Sequence, residues 1–275
     1  MYSLALKLRP KDFSLARFKE KYNELKMRSF VPKFSFSVNY KDFVIKTAST
    51  LEEIKEVHRL RREVFTADYG IDDHDFGIDF SRYDMLADHV ILVDQKHKRI
   101  MATYRLISSL VSREFYSQTE YEMDSLLMNR ENKVELSRAC VHPEYRTGTA
   151  IAMIWRGLGE YVKLTESRYL FGLSSKPCLD QKIALRIADS VSAENVGNEF
   201  DISVKCKFKI SSRAAPVTCN SSELELPSLL QTYLNAGAKI YGELAYDASF
   251  KSVDFFTLLD VQKMEARYFD RYFKG

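Results

Sequence analysis

Apolar residues recur along the chain in two rhythms, one that marks strands and one that marks helices. Phe43 to Ala48 alternates as a short strand. Ser49 or Thr50, followed by Glu52 and Glu53, is an N-cap signal, and Ile54, Val57, Leu60, Arg61 and Val64 then keep helical spacing to about Phe65. His89 to Asp94 is an apolar strand, Gln95 to Arg99 a turn, and Ile100 to Leu106 its hairpin partner. Val134 to Val141 is another strand. Arg146 to Leu164 places Ile151, Ile154, Trp155, Leu158, Tyr161 and Val162 on one helical face and leads into the apolar strand Tyr169 to Leu173. Lys239 to Tyr246 and Val253 to Leu259 make a last strand pair around Asp247 to Ser252. Hairpins and a strand-helix-strand crossover in this order predict an α/β (α+β) fold, a mixed central sheet flanked by helices.

Two stretches fall outside these rhythms. Residues 68 to 88 contain seven aspartates and predict a long acidic loop with a short helix. Ile78 stands where a calcium-binding loop of the EF-hand type needs glycine, which excludes that motif. Residues 12 to 28 mix Phe13, Phe18, Tyr22, Leu25 and Met27 with lysines and arginines in a loosely helical pattern. Such a helix either packs on the domain or lies on anionic lipid with Phe13, Phe18 and Leu25 inserted. Pro32 and the polar stretch to Asn39 divide the chain into a basic amphipathic N-terminal extension, 1–38, and one domain, 39–275.

Charge sharpens that division. The formal net charge of the 275 residues is +3, yet residues 1–33 hold nine Lys or Arg against three acids, leaving the rest at −3. Nucleic-acid binding is disfavoured, because the body is acidic and no aromatic-interleaved basic motif follows the arm. The ten glycines form no GxxxxGK[ST] loop, and the lone GxG at Gly157 and Gly159 sits inside a helical stripe, so neither nucleotide scaffold is expected. The four cysteines lack CxxC spacing and the five histidines form no HxxxH pair, so no metal site is expected. With no signal-peptide profile and no apolar run near 18 residues, the expectation is a cytoplasmic protein whose basic arm suits the inner face of the cell membrane.

The strand Val134-Glu135-Leu136-Ser137-Arg138-Ala139-Cys140-Val141 carries the most chemistry. Strict alternation puts Arg138 in the apolar phase with Val134, Leu136 and Cys140. Either the arginine is buried with a carboxylate partner, or a bulge near 138 to 140 resets the phase. Glu135 facing a cleft is a workable general base, and its alternative is a solvated strand carboxylate. His142 to Ala150 then forms a glycine-containing turn at a helix start, suited either to a phosphate or to plain capping by Thr149.

The run ELSRACVHPEYRTGTAIAMIW resembles the central strand and helix of the GNAT acyltransferases, and more closely their branch served by acyl carrier protein. Arg61-Arg62-Glu63-Val64-Phe65 resembles the RxxVF helix motif of acyl-homoserine-lactone synthases. Asp79, Tyr83, Asp84, Asp88-His89 and Ala102 to Leu106 continue that similarity in order. The stretch Gly237 to Asp247 looks like the tail of the bacterial ornithine Nα-acyltransferases, which make lyso-ornithine lipid from a 3-hydroxyacyl donor; long-chain N-acyl amino acid synthases are related. The resemblance implies a catalytic set of Glu135, Ser137 and Arg138, with Glu135 as base and backbone N–H groups around Ala139 to Val141 stabilising the oxyanion. It implies substrate binding by Arg61, Phe65, Asp79, Asp84, Arg105 and Trp155, with Tyr83 and Tyr104 also placed for an acyl tunnel. Val141, Arg146, Thr147, Gly148, Thr149 and Ala150 would meet the donor. Arg146 to Gly148 is one residue shorter than the family's coenzyme A turn, [RQ]xxGx[GA]. That shortening fits the single phosphodiester of acyl carrier protein's phosphopantetheine, with no permanently bound cofactor. The implied partners are acyl carrier protein and ornithine, and a cationic acceptor needs a carboxylate, for which the acidic segment, Glu243 and Asp247 are candidates. Two alternatives stay open: a synthase with another amino-acid acceptor, and a catalytically silent GNAT-like module that docks carrier protein or membrane.

Overall fold

Each strand predicted from alternation finds a partner whose own pattern matches it, and the pairings build one large sheet. The computed structural model describes residues 21–69, 79–146, 148–210 and 221–274. Strands β1 (Ser37–Tyr40) and β2 (Phe43–Thr47) form an edge hairpin, followed by helix α1 (Leu51–Tyr69) and the short α2 (Arg82–Leu86). Strands β3 (Asp88–Asp94) and β4 (Arg99–Ser108) are the central hairpin. After a 3-10 turn at Tyr116–Thr119 comes β5 (Tyr121–Glu122), then β6 (Lys133–Val141), helix α3 (Gly148–Thr165) and β7 (Tyr169–Pro177). Helix α4 (Gln181–Ser190), β8 (Ser203–Val204), α5 (Ser228–Asn235), β9 (Lys239–Ile240), β10 (Ala245–Asp247), β11 (Ser252–Asp260) and α6 (Ala266–Tyr272) complete the chain.

The nine-stranded sheet runs β1-β2-β3-β4-β6-β7-β11-β10, with β9 also on β11, while β5 and β8 pair separately. All neighbours are antiparallel except β6 and β7, which are parallel because α3 carries the chain from one to the other. The sheet is therefore mixed, as the pattern predicts. Alternation assigns its two faces: Val90 and Leu92 of β3 join the cluster under α3 with Ile154, Trp155 and Leu158, while Ile91 joins that under α1 with Ile54, Val57 and Leu60. At the start of α1, Thr50 Oγ1 accepts from Glu53 N at 3.2 Å and Glu53 Oε2 accepts from Thr50 N at 3.2 Å, the reciprocal cap expected of that spacing.

Some boundaries differ. α1 runs on to Tyr69, α3 starts at Gly148 after a 3-10 turn at Pro143–Tyr145, and Lys239 to Tyr246 splits into β9 and β10. The split follows from Gly242, whose φ of +69° turns the chain and whose missing Cβ would lie 2.5 Å from Ile202 O.

A domain boundary at residue 38 falls inside β1. The segment ahead of it is built into the body: residues 21–28 are helical and Met27 and Phe30 are buried against α1. The Asp88 carboxylate accepts from Lys33 N at 2.7 Å and Phe34 N at 3.0 Å, fastening the segment to the start of β3. Leu25 is exposed, and Phe13 and Phe18 lie outside the described residues. Among the described residues no helix is long and apolar enough to cross a membrane.

Candidate active site

A bulge in β6 creates the site. Thr103 pairs with Cys140 and Arg105 with Ser137, so Arg138 and Ala139 together oppose Tyr104 alone. Arg138 takes φ +51°, the left-handed conformation of such a bulge. The phase then flips: Ala139 and Val141 face the α3 cluster with Val134 and Leu136, while Cys140 turns to the α1 cluster. Both sequence alternatives for Arg138 are realised at once, since the bulged arginine also has a carboxylate partner, with its Nε 3.4 Å from Asp79 Oδ2.

A second device opens the sheet at that point. β6 and β7 pair only from Lys133 opposite Tyr169 to Glu135 opposite Phe171, after which β6 follows β4 and β7 follows β11. Gly172 marks the last close approach, for a Cβ there would lie 2.1 Å from Leu136 O. The wedge beyond it holds a cavity in two chambers that share Ser137, Arg138, Ala139, Leu173, Ser174 and Leu229. One chamber, of about 60 Å³, is apolar and aromatic, with Tyr104, Trp155, Tyr233 and Leu259 on its walls. Trp155 stacks on Tyr233 at 5.5 Å between centroids, and the Tyr104 and Tyr233 hydroxyls are 2.6 Å apart. The other chamber, of about 150 Å³, carries Glu120, Asp247 and Asp254 on one side and Phe65, Asp79 and Arg138 on the other.

The charged residues singled out from sequence come together behind the polar chamber. Arg61 is fully buried and reaches Asp79 and Asp84, each at 2.7 Å. Arg105 donates to Ser137 Oγ at 3.0 Å and Ser81 Oγ at 3.2 Å, and lies 3.5 Å from Asp84. Burial pushes both aspartates up, but the guanidiniums outweigh it: Arg61 and Arg138 hold Asp79 below its ordinary range, and Arg61 and Arg105 hold Asp84 well below. Of this network only Asp79 and Arg138 reach the cavity, so Arg61, Asp84 and Arg105 position rather than contact a substrate. Tyr83 packs on Arg105 and Tyr116, away from both chambers. His58, Asp84 and His89 bring possible metal ligands within 4.8 Å of one another. Two guanidiniums already neutralise Asp84, and burial with Arg61 nearby holds His58 down to about 4, so this cluster completes the arginine network.

Glu135 departs from its expected role. It is fully buried beneath the 3-10 turn, where Oε2 accepts from Tyr116 N at 2.7 Å and Oε1 from Ser117 N and Ser117 Oγ, each at 2.6 Å. It lines neither chamber. Burial pushes its carboxyl up while these hydrogen bonds pull it back. A carboxylate so engaged has no path to an amine; what it does is hold the turn that brings Tyr116 and Glu120 to the cavity. Of the residues expected to meet the donor, the described ones also stand outside both chambers. Val141 ends β6, Gly148 opens α3 with nothing within 4 Å of its absent side chain, Thr149 is exposed, and Ala150 is core. Arg146 is committed to Asp68 at 2.6 Å and to Val141 O at 3.3 Å, and Thr147 lies outside the described residues.

Glu120 and Asp254 were missed in the sequence. Asp254 had a signal, since it is an acid inside the apolar run Val253 to Leu259; Glu120 lies in a stretch with no periodicity. Both are almost fully buried, at 2% and 3% exposure, and no Lys or Arg of the described residues forms an ion pair with either. Burial raises both carboxyls, each further raised by the charge of Asp247, and Glu120 rises further than Asp254.

Comparison with known proteins agrees with this architecture. A family model described as an acetyltransferase (GNAT) domain matches residues 60–156. The solved structure of FeeM, an N-acyl amino acid synthase from uncultured soil microbes, shares the fold with a TM-score of 0.50 at 12% identity, covering 80% of this chain and 91% of that one. An L-ornithine Nα-acyltransferase of Brucella abortus is 25% identical, covering 83% of this chain and 88% of its own length. One of Rhodobacter capsulatus is 30% identical, covering 84% of this chain and 94% of its own length. With that identity over nearly the full length of such a relative, and a wedge opened between its two parallel strands, the chain belongs to the GNAT acyltransferases.

Proposed function

We propose that the protein transfers a long acyl chain, 3-hydroxylated or plain, from the thioester of acyl carrier protein to the α-amine of ornithine, giving lyso-ornithine lipid. The observation that carries this reading is the two-chambered cleft that meets at the β6 bulge. An apolar chamber lined by Trp155, Tyr104 and Tyr233 suits the start of an acyl chain, and an acid-rich chamber suits a small cationic acceptor. The thioester carbonyl then lies at the junction, beside backbone N–H groups that the bulge frees from the ladder, which is where a developing oxyanion needs donors. Arg138 faces both chambers, with its Nε ion-paired to Asp79 at 3.4 Å but making no hydrogen bond there, and its guanidinium fits the acceptor's α-carboxylate.

In the reaction the amine nitrogen bonds to the thioester carbon, the C–S bond breaks, and the phosphopantetheine leaves as a thiol after taking up one proton. With Glu135 sealed beneath its turn, the amine's proton leaves through water in the polar chamber, with the Ser137 and Ser174 hydroxyls at the junction to orient it. The acyl carrier protein preference is supported by the turn before α3, where Arg146 is tied to Asp68 and the helix N-terminus is left as the anion site. Incubation of the purified protein with 3-hydroxyacyl and plain acyl carrier proteins, acyl coenzyme A and a mixture of amino acids, followed by mass spectrometry, should yield N-acylornithine from the carrier-protein donors. Absence of any N-acyl product from folded protein across that panel overturns the reading, and an acylated amino acid other than ornithine redirects the acceptor.

A further inference from the structure

Glu120 comes to the cavity from the 3-10 turn that Glu135 anchors, and Asp254 from β11, where it pairs with Ser175 of β7. Glu120 Oε2 is buried and accepts no hydrogen bond from the described residues. The group it meets is the Asp254 carboxyl, which in turn accepts from Ser252 Oγ at 3.2 Å. Both line the polar chamber and neither lines the apolar one. Among the described residues no Lys or Arg is ion-paired to either carboxyl, and with Asp247 and Asp79 also on the wall the acids of the chamber outnumber its guanidiniums, Arg138 and Arg62. Since the reacting amine must stand where the chambers join, the pair faces the far end of the acceptor.

We propose that the Glu120–Asp254 pair is the seat of the acceptor's side-chain ammonium, so that the polar chamber selects amino acids ending in a primary amine over their uncharged isosteres. This deepens the proposed function and rests on it. An ammonium has three N–H donors, which the two carboxyls and a neighbouring serine oxygen can accept. In the empty cavity the like charges are relieved by a proton held on Glu120; when the ammonium enters, that proton leaves to solvent and both carboxylates face the cation. The other charged and titratable groups that line the chamber or act on the pair are Asp247 from β10, Arg138 from β6, Arg62 and Tyr69 from α1, Asp79, and Tyr116 and Tyr121 beside Glu120.

Two measurements on the full chain decide the matter. Calorimetric titration with 5-aminovalerate, which is ornithine without its α-amine, in buffers of different ionisation enthalpy near neutral pH should show close to one proton released per ligand bound. Glu120→Gln should abolish that release. Binding without proton release, or no binding at all, overturns the proposal, and the wild-type protein alone suffices for this arm. In the second arm, acyl transfer to ornithine is compared with transfer to norvaline, which lacks the terminal amine. The ornithine-to-norvaline ratio of kcat/KM should fall by about 10- to 100-fold in Glu120→Gln and in Asp254→Asn, chiefly through KM. An unchanged ratio, or equal loss with both substrates, removes the pair from specificity. If the wild-type protein makes no acylornithine, the proposed function fails, while proton release on 5-aminovalerate binding still decides the role of the pair.

Discussion

A carboxamide in place of Glu135 can keep its oxygen toward Ser117 N and Ser117 Oγ only by turning its NH2 toward Tyr116 N, or the reverse, so at least one donor that is satisfied now would face another donor. Glu135→Gln should therefore cost about 1–3 kcal/mol of stability, read as a lower unfolding midpoint. Turnover should fall with it, because the loosened turn carries Tyr116 and Glu120. The pH–rate profile should keep its shape, whereas loss of a titrating base would flatten one limb. Glu120 supplies the complementary test. Burial and Asp254 push it up to about 9, against about 4.3 for an exposed glutamate. Between those values the folded chain holds a proton that the unfolded chain has lost, so stability falls as pH rises through this window, by at most about 1.4 kcal/mol per pH unit. Glu120→Gln removes that slope, and its midpoint should gain on the wild type by a few degrees between pH 6 and pH 9. Thermal melts at several pH values check the trend; a constant difference would mean that Glu120 is ionised in the resting fold. At this scale sequence located Glu135 on its strand but could not show the turn that covers it, since that contact joins residues 18 and 19 positions apart with no local pattern between them.

The wedge depends on one strand being pulled close before the sheet parts. Gly172→Ala would put a methyl group 2.1 Å from Leu136 O, where only backbone can give way. The expected cost is about 1–3 kcal/mol, with acyl transfer lost more steeply than stability because the shift is delivered to the bulge two residues on. A melt paired with a turnover assay distinguishes this from a glycine that serves only the chain's flexibility, which alanine would stabilise. The β6 bulge was legible in the sequence because an arginine fell in an apolar phase, and the hairpins and crossover were legible from their rhythm. The 3-10 turn at Tyr116–Thr119 and helices α4 and α5 were not: the first is held by Glu135 from another strand, and the others are short and find their apolar partners in distant strands. Of the polar chamber's acids, Glu120 comes from such a silent segment, whereas Asp247 and Asp254 lie on the legible strands β10 and β11.

For the whole molecule, the charge division and the structural division fall in different places. Five of the nine bases in residues 1–33 precede residue 21, whereas residues 21–33 send Met27 and Phe30 into the core. Burying Met27 and Phe30 is worth about 1.5–3 kcal/mol each, a large share of a domain stability of about 5–15 kcal/mol. Lys33 adds its N–H to Asp88 at 2.7 Å and its ammonium to Met85 O at 2.7 Å. Deleting residues 1–33 should accordingly lower the unfolding midpoint by about 10 °C or more and depress acyl transfer along with it. A deletion ending at residue 20 keeps every one of these contacts and isolates the electrostatic contribution of the arm. It should retain transfer from a soluble donor while weakening binding to vesicles containing phosphatidylglycerol by about tenfold or more, at roughly 1 kcal/mol per basic residue near the surface. Binding to phosphatidylcholine vesicles is the control for insertion by apolar side chains alone. If the shorter deletion binds anionic vesicles as the full chain does, attraction to lipid resides in the body, and the basic arm has another partner.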